Sequence, residues 1–282
     1  DANCAGGQLP QGWVTCEESG RPEHGYAFLT KPTDSVLTKP RRISSWGRFP
    51  REAVALDPST GIVYMTEDRY DGCFYRHVPT DSKQPLGSGR LQALSIKGLK
   101  TTSPYPKPVP GKVTPRLWKD DQTWTVNWVD IPDPSATRET CREQASARGA
   151  TAFCRGEGIA WGGQSVWLCA SLAGPVRAGQ IFEYLPSKAN SDTGKLILRY
   201  EVSDRSILSC PDNITMSPWH DLLMAEDNYV ADDKATHQYL RCLDSEGRVY
   251  DVARNRNRVP GSRKPGGEFT GICFSSDKKY LF

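Results

Sequence analysis

Apolar residues along this chain come in short runs, each broken by a turn. At 52–68 the run EAVALD, the turn PSTG and the run IVYMTED follow one another, with Glu52 at one end and Glu67 and Asp68 at the other. The same plan recurs as DNITMS–PWHD–LLMAED at 212–227, EGIAW–GGQS–VWLCAS at 157–171 and FTGICF–SSDKKYLF at 269–282. GWVTCEES at 12–19 matches the second run alone. Further runs follow each hairpin: GYAFL (25–29), CFYRHV (73–78), QIFEYL (180–185) and YLRCL (239–243), with a fourth at LQALSI (91–96) and RVYDVA (248–253). Each run reads as a strand. Four-strand units repeating every 40–50 residues or so are the sequence mark of a β-propeller. The chain is therefore expected to be all-β: one propeller domain over 1–282, of five or six four-stranded blades, the first lacking its inner strand. Residues 97–150, rich in Pro and charge, are either a disguised blade or one long insertion. The one expected helix lies around ATRETCREQASARGA at 136–150.

This plan gives the acids a common address. The start of the first strand of an antiparallel hairpin lies beside the end of the second. Glu52 is thus expected to face Glu67, and Asn213 to face Glu226. In a propeller the first strand of each blade lines the central channel, so Glu52, Glu157, Asp212 and Glu268 all start at one mouth. Cys16, Glu17, Glu18, Glu67, Asp68, Glu226 and Asp227 end second strands at that mouth. Carboxylates crowded in this way repel and hold raised pKa values unless cations lie among them. Arg155, in CRGEG, is one internal cation for many acids. Metal ions are the economical complement: calcium for carboxylates and an amide oxygen, iron or another transition metal where a thiolate joins them.

Composition narrows the class. The 36 Lys+Arg against 33 Asp+Glu leave a formal charge of +3, with no nucleic-acid or membrane-surface signature. No apolar run reaches the roughly 18 residues needed to span a bilayer. The chain opens on Asp1 rather than Met and stops within an apparent strand, so a removed leader and a further C-terminal stretch are expected. The nine cysteines include no CxxC pair, which argues against structural zinc and for disulfides in an exported protein. His24, His77, His220 and His237 make no ligand-spaced pair and read as loop or turn residues. The sequon NIT at 213–215 is discounted, because Asn213 falls at the channel mouth. No serine elbow, P-loop or HExxH motif occurs.

Several segments, in order, resemble the PhoX-type alkaline phosphatases: NCAGG (3–7), GWVTCEES (12–19), HGYAF (24–28), GRFPREAVALDPSTGIVYMTED (47–68) and WVDIPDP (128–134). GEGIAW (156–161), GQIFEY (179–184), CPDNITMSP (210–218), GRVYDVARN (247–255) and EFTGICFSSD (268–277) continue the series. The resemblance implies a propeller with ferric iron and calcium at its mouth that hydrolyses phosphate monoesters. It also implies export, to the periplasm or outside the cell, with a thylakoid-type lumen as the alternative. By position, TCEE gives Cys16 as thiolate ligand to iron with Glu17 or Glu18 beside it. REAV gives Glu52, RxEG gives Glu157 as ligand and Arg155 as phosphate clamp, PDN gives Asp212, and AED gives Glu226; Glu268 follows. One metal-bound thiolate leaves eight cysteines, enough for four disulfides. Small phosphate esters are the implied partners. The alternative is a metal-stabilised scaffold or binding subunit with protein partners and no catalysis; a propeller hydrolase or lactonase acting on something other than phosphate is a third reading.

Overall fold

The computed structural model describes residues 2–31, 33, 36, 40–105, 113–188, 192–228, 237–256 and 267–282. It is almost wholly β. The first unit is β1 (Asn3–Leu9), β2 (Gly12–Glu17), β3 (Ala27–Thr30) and β4 (Arg41–Ile43). The second is β5 (Arg51–Leu56), β6 (Val63–Glu67), β7 (Gly72–Pro79) and β8 (Gly89–Ile96). After β9 (Gln122–Asp130), α1 (Cys141–Ala147) and β10 (Ala152–Phe153), the third unit is β11 (Gly156–Trp161), β12 (Val166–Ala170), β13 (Gln180–Pro186) and β14 (Thr193–Glu201). The fourth is β15 (Pro211–Met216), β16 (Leu222–Glu226), β17 (Tyr239–Leu243) and β18 (Val249–Arg254). Within each unit the strands pair antiparallel in sequence order.

Local chemistry explains the hairpins. In the β5–β6 turn, Asp57 accepts from Ser59 N at 2.8 Å and Thr60 Oγ1 at 2.7 Å, and Gly61 takes φ +72°. A left-handed residue there lets the chain reverse within the turn, and glycine does so without steric cost. The β15–β16 turn is closed by Asp221 N donating to Ser217 Oγ at 2.9 Å, with His220 at φ +73°. The helix α1 opens on a capping box, Thr140 and Glu143 each bonding the other's backbone N–H.

Units pack face to face through apolar layers. Val14, Ala27, Val54 and Met65 fill the space between the first and second units. Ala53, Tyr64, Phe74, Ile159 and Phe182 fill that between the second and third. Cys169, Ile181, Ile214 and Met224 fill that between the third and fourth. The inner strands β1, β5, β11 and β15 are neighbours in that order, with β1 parallel to β5 where Gly6 meets Ala53. They approach closely because glycines face backbone: a Cβ on Gly158 would lie 2.3 Å from Asp212 O, and one on Gly7 2.2 Å from Val54 O. Together they line a cavity of about 620 Å³.

The structure corrects the sequence expectations at several points. The first unit has its inner strand: NCAGGQL forms β1 and pairs with β2. Fourth strands occur in all four units, including β4 and β14. The 97–150 stretch builds no four-stranded unit among its described residues; residues 106–112 lie outside them. It supplies β9, which pairs with β8 through its second half and with β14 through its first, joining the outer edges of two units. FTGICF is not a strand, and the final segment makes one bridge, Phe274 to Leu281. His77 lies fully buried in β7 rather than in a loop.

Candidate metal centre at the channel mouth

The register of the four inner hairpins is the same. Asn3 pairs with Glu17, Arg51 with Glu67, Gly156 with Ala170 and Pro211 with Glu226. One residue further in, each inner strand carries a one-residue bulge: between Cys4 and Gly7, Arg51 and Val54, Gly156 and Ile159, and Pro211 and Ile214. The residues at the mouth of each bulge are Cys4, Glu52, Glu157 and Asp212. A bulge bends its strand and re-aims the side chain it carries. This displaces the expected pairing of Glu52 with Glu67 and of Asn213 with Glu226 by one residue or more. Ahead of three of these strands the backbone is left-handed at a non-glycine residue: Ala2 at φ +50°, Arg155 at +58° and Cys210 at +51°; Pro50 holds the fourth position. Such residues cost on the order of 1–3 kcal/mol each and persist where neighbours hold them. Here the holding bonds are alike: Glu18 N to Ala2 O, Ser171 N to Arg155 O and Asp227 N to Cys210 O, at 2.8–2.9 Å.

Strand alternation then sorts the acids at the second-strand ends. Successive side chains point to opposite faces, so in each acid pair one member turns from the axis and the next turns to it. Glu17 turns away and accepts from His24 Nδ1 at 2.9 Å and from the Gly25 and Tyr26 amides. Burial opposes it, but these bonds hold its pKa below the ordinary value. Glu67 turns away to Arg142 Nη1 at 2.9 Å and Tyr75 OH at 2.9 Å. Glu226 turns away to Arg241 Nε at 2.8 Å. Glu18, Asp68 and Asp227 turn inward; Ser171 holds the equivalent place in the third unit and donates to Glu157 Oε1 at 2.9 Å.

Three groups result: Cys4–Glu18–Glu52, Glu52–Asp68–Glu157 and Asp212–Asp227–Glu268, in each of which one ligand atom per residue lies within 4.8 Å of the others. Cys4 Sγ donates to Glu52 Oε2 at 3.0 Å. Burial, then the charges of Asp212, Glu18 and Asp68, push Glu52 up to about 9 against the relief of the Cys4 hydrogen bond. Burial and the same crowding hold Glu157 well above the carboxylate range. Asp212 is pushed up to about 7 by burial and Asp227, and Glu268 to about 7 for the same two reasons. Among the described residues the cation paired with these seven acids is Arg155. Its Nε donates to Asp68 Oδ1 at 2.6 Å and its Nη2 to Asp68 Oδ2 at 2.5 Å, with Glu157 Oε1 at 3.4 Å. One guanidinium does not balance seven carboxyls. The donor set, carboxylate oxygens joined by one sulfur, fits bound metal ions.

Of the residues singled out from the sequence, Arg155, Glu52, Glu157 and Asp212 come together at this mouth, and Glu268 with them. Cys16 does not. It pairs directly across from Cys4 but on β2, one strand further from the axis, fully buried among Val14, Ala27, Trp46 and Met65. Burial pushes its thiol up to about 12. Glu17 and Glu226 are braces turned away from the axis, as described. Sequence reasoning missed Cys4 as a ligand candidate, and it set Asp68 and Asp227 at the mouth without assigning them as ligands; the signal for Cys4 was present, since NCAGG sets it before small residues as Glu52 precedes Ala53 and Glu157 precedes Gly158. All nine cysteines are free, so the expected four disulfides are not formed. Their thiols are dispersed among separate apolar layers: Cys154 in one, Cys16, Cys73 and Cys141 in another, Cys169 and Cys242 in two more. Asn213, as expected, is part of the mouth: its Nδ2 donates to Asp212 Oδ1 at 2.7 Å.

Comparison with known proteins agrees with this geometry. The family described as Alkaline phosphatase PhoX matches residues 1–282. The fold is similar to that of Pseudomonas fluorescens PhoX in complex with vanadate, a transition-state analogue, at TM-score 0.71 and 19% identity, covering 99% of this chain. The chain spans 63% of the length of that protein. A Bacteroides uniformis protein described as a candidate 6-phosphogluconolactonase matches at TM-score 0.31 and 13% identity, over 94% of this chain and 86% of its own, a likeness that carries no argument. No curated protein matches. No helix among the described residues is long and apolar enough to cross a membrane.

Proposed function

Since the chain belongs to the PhoX family of alkaline phosphatases, as its match over residues 1–282 shows, we propose that it is a metal-dependent phosphomonoesterase acting at this channel mouth. The observation that carries the reading is the convergence of Cys4, Glu52, Glu157 and Asp212 from four bulged inner strands around Arg155. Cys4, Glu18 and Glu52 would hold an iron ion, since a thiolate among carboxylates suits a transition metal. Asp212, Asp227 and Glu268, an all-oxygen set, would hold calcium. Bound there, cations supply positive charge that polarises the phosphoryl group and neutralises the charge that grows on it.

The chain's own residues do the positioning. Arg155 offers a planar fork that matches two phosphate oxygens, and its backbone is fixed by Arg69 O at 2.8 Å and by Ser171 N. Asp68 holds that fork in the orientation seen, at the edge of the acid groups. Ser171 and Asn213 fix the carboxyls of Glu157 and Asp212. No protein nucleophile is called for, in keeping with the lack of a serine elbow. The vanadate complex of the Pseudomonas protein supports phosphoryl chemistry on this fold. Arg155 sets a guanidinium fork, suited to phosphate oxygens, directly against the candidate metal groups, which favours the enzyme over the scaffold reading.

We read the four units as blades of one propeller domain of five or six, in which residues 267–282 begin a further blade. Export from the cytoplasm is part of the same proposal, with cell fractionation as its test. The hydrolytic reading is tested by metal analysis together with turnover of p-nitrophenyl phosphate before and after chelation. Iron with calcium, and turnover lost on chelation and regained on metal return, are expected. Calcium alone with no turnover would favour the scaffold.

A further inference from the structure

Beside the acid groups lies a second pocket, of about 410 Å³, lined by Ala2, Glu18, Ser19, Gly20, Arg21 and Arg69. Glu18 belongs to both the pocket and the Cys4–Glu18–Glu52 group, so the pocket adjoins the proposed centre. Arg69 follows Asp68 and lies on the opposite parity, outside the acid groups. Its main chain is fixed: its carbonyl accepts from Arg155 N at 2.8 Å and from Gly72 N at 2.9 Å. The two arginines are thus tied through one hydrogen bond.

The guanidinium of Arg69 differs from its neighbours. Arg142 and Arg155 each pair with a carboxylate, and Arg51, fully buried without one, donates to the Trp46 and Gly47 carbonyls. Arg69 is half-buried, yet among the described residues no acid lies within ion-pair distance of it. A guanidinium that lines a cleft without a carboxylate partner keeps its donors open to an anion entering from solvent. The space it occupies is kept open by Gly20. A Cβ there would lie 2.9 Å from Arg69 Nη2 and 3.7 Å from Pro50 Cγ. Gly20 does not have the left-handed backbone that would itself demand glycine; the guanidinium is what a side chain would meet.

We propose that this pocket is a subsite for a second anionic group on the substrate, with Arg69 as its recognising residue and Arg21 lining the same wall. The class favoured is small phosphomonoesters that carry a carboxylate or another phosphate within a few atoms of the ester oxygen. The ester phosphate sits at Arg155 and the second anion reaches Arg69 past Glu18, which lines the pocket and bonds Asp68, the carboxylate that grips Arg155. The inference rests on the phosphomonoesterase reading and deepens it.

The test uses the metal-loaded protein and two esters of the same primary alcohol type, 3-phosphoglycerate, with a carboxylate, and glycerol 3-phosphate, without one. The readout is the ratio of their kcat/KM values, so that a general change in activity cancels. One charge-assisted hydrogen bond at a partly exposed site is worth roughly tenfold, which is the preference expected for 3-phosphoglycerate. Arg69→Gln should bring the ratio near unity, Arg69→Lys should restore part of it, and Gly20→Ala, which displaces the guanidinium without removing it, should lower it. A wild-type ratio near unity, or a ratio unmoved by Arg69→Gln, overturns the subsite. Should neither ester turn over, the hydrolytic reading falls instead, and calorimetric binding of the two esters decides the subsite: equal affinities reject it, and a preference for 3-phosphoglycerate that Arg69→Gln abolishes supports it.

Discussion

A thiol on an inner strand and a thiol on the strand beside it meet different surroundings. Cys4 and Cys16 face one another across β1 and β2, but only Cys4 is next to the axis, with its sulfur 3.0 Å from Glu52. Cys16 is packed in the apolar layer behind. Cys4→Ala is therefore expected to lower bound iron and aryl phosphate turnover together. Cys16→Ala should cost about 1 kcal/mol of stability, the loss of one buried methyl-sized group, with metal content unchanged; elemental analysis and thermal melts separate the two. At Arg155 the demand is for a fork, which lysine cannot copy. Arg155→Lys should reduce kcat/KM on p-nitrophenyl phosphate by roughly 10²-fold, the scale seen when one donor to a charged transition state is removed, while metal content holds.

Parity along a strand end decides between brace and ligand. Glu67 and Asp68 are adjacent, yet one ties β6 to α1 through Arg142 and Tyr75 and the other enters the acid groups. Glu67→Ala leaves the guanidinium of Arg142 half-paired and should cost roughly 3 kcal/mol in denaturant unfolding, with metals retained once folded. Asp68→Asn should do the reverse, changing metal content with little loss of stability. This is also where sequence reading reached its limit. The hairpins, the turns and the order of the acids were legible, because they follow from period-2 runs and turn residues. The one-residue bulges were not: nothing in Glu52-Ala53-Val54 marks an extra residue, and the bulge alone moves the partner of Glu67 from Glu52 to Arg51. The inner strand NCAGGQL went unseen for a related reason, since its glycines, which let β1 lie close to β2 and β5, remove the apolar signal of a strand. The seam formed by β9 depends on pairing across some 70 residues to β14, which no local pattern encodes.

For the whole molecule, the crowded acids couple metal content to stability. With no cation bound, Glu52 titrates near 9 and Asp212 and Glu268 near 7, all above their ordinary values. Carboxyls raised on folding bind protons that the unfolded chain has released, so stability is greatest below their unfolded pKa and falls as pH rises through the folded values. The chelated protein should thus melt at progressively lower temperature from about pH 5 to pH 9, and restoring metals should flatten that slope by replacing the protons. The most direct test is an anomalous X-ray difference map of the metal-loaded protein, collected on both sides of the iron edge. The account predicts an iron peak in contact with Cys4 Sγ and the Glu52 carboxylate, and further density, not iron, among Asp212, Asp227 and Glu268. An iron peak at Cys16, or a fully loaded crystal with no peak among the seven clustered carboxylates, would contradict it.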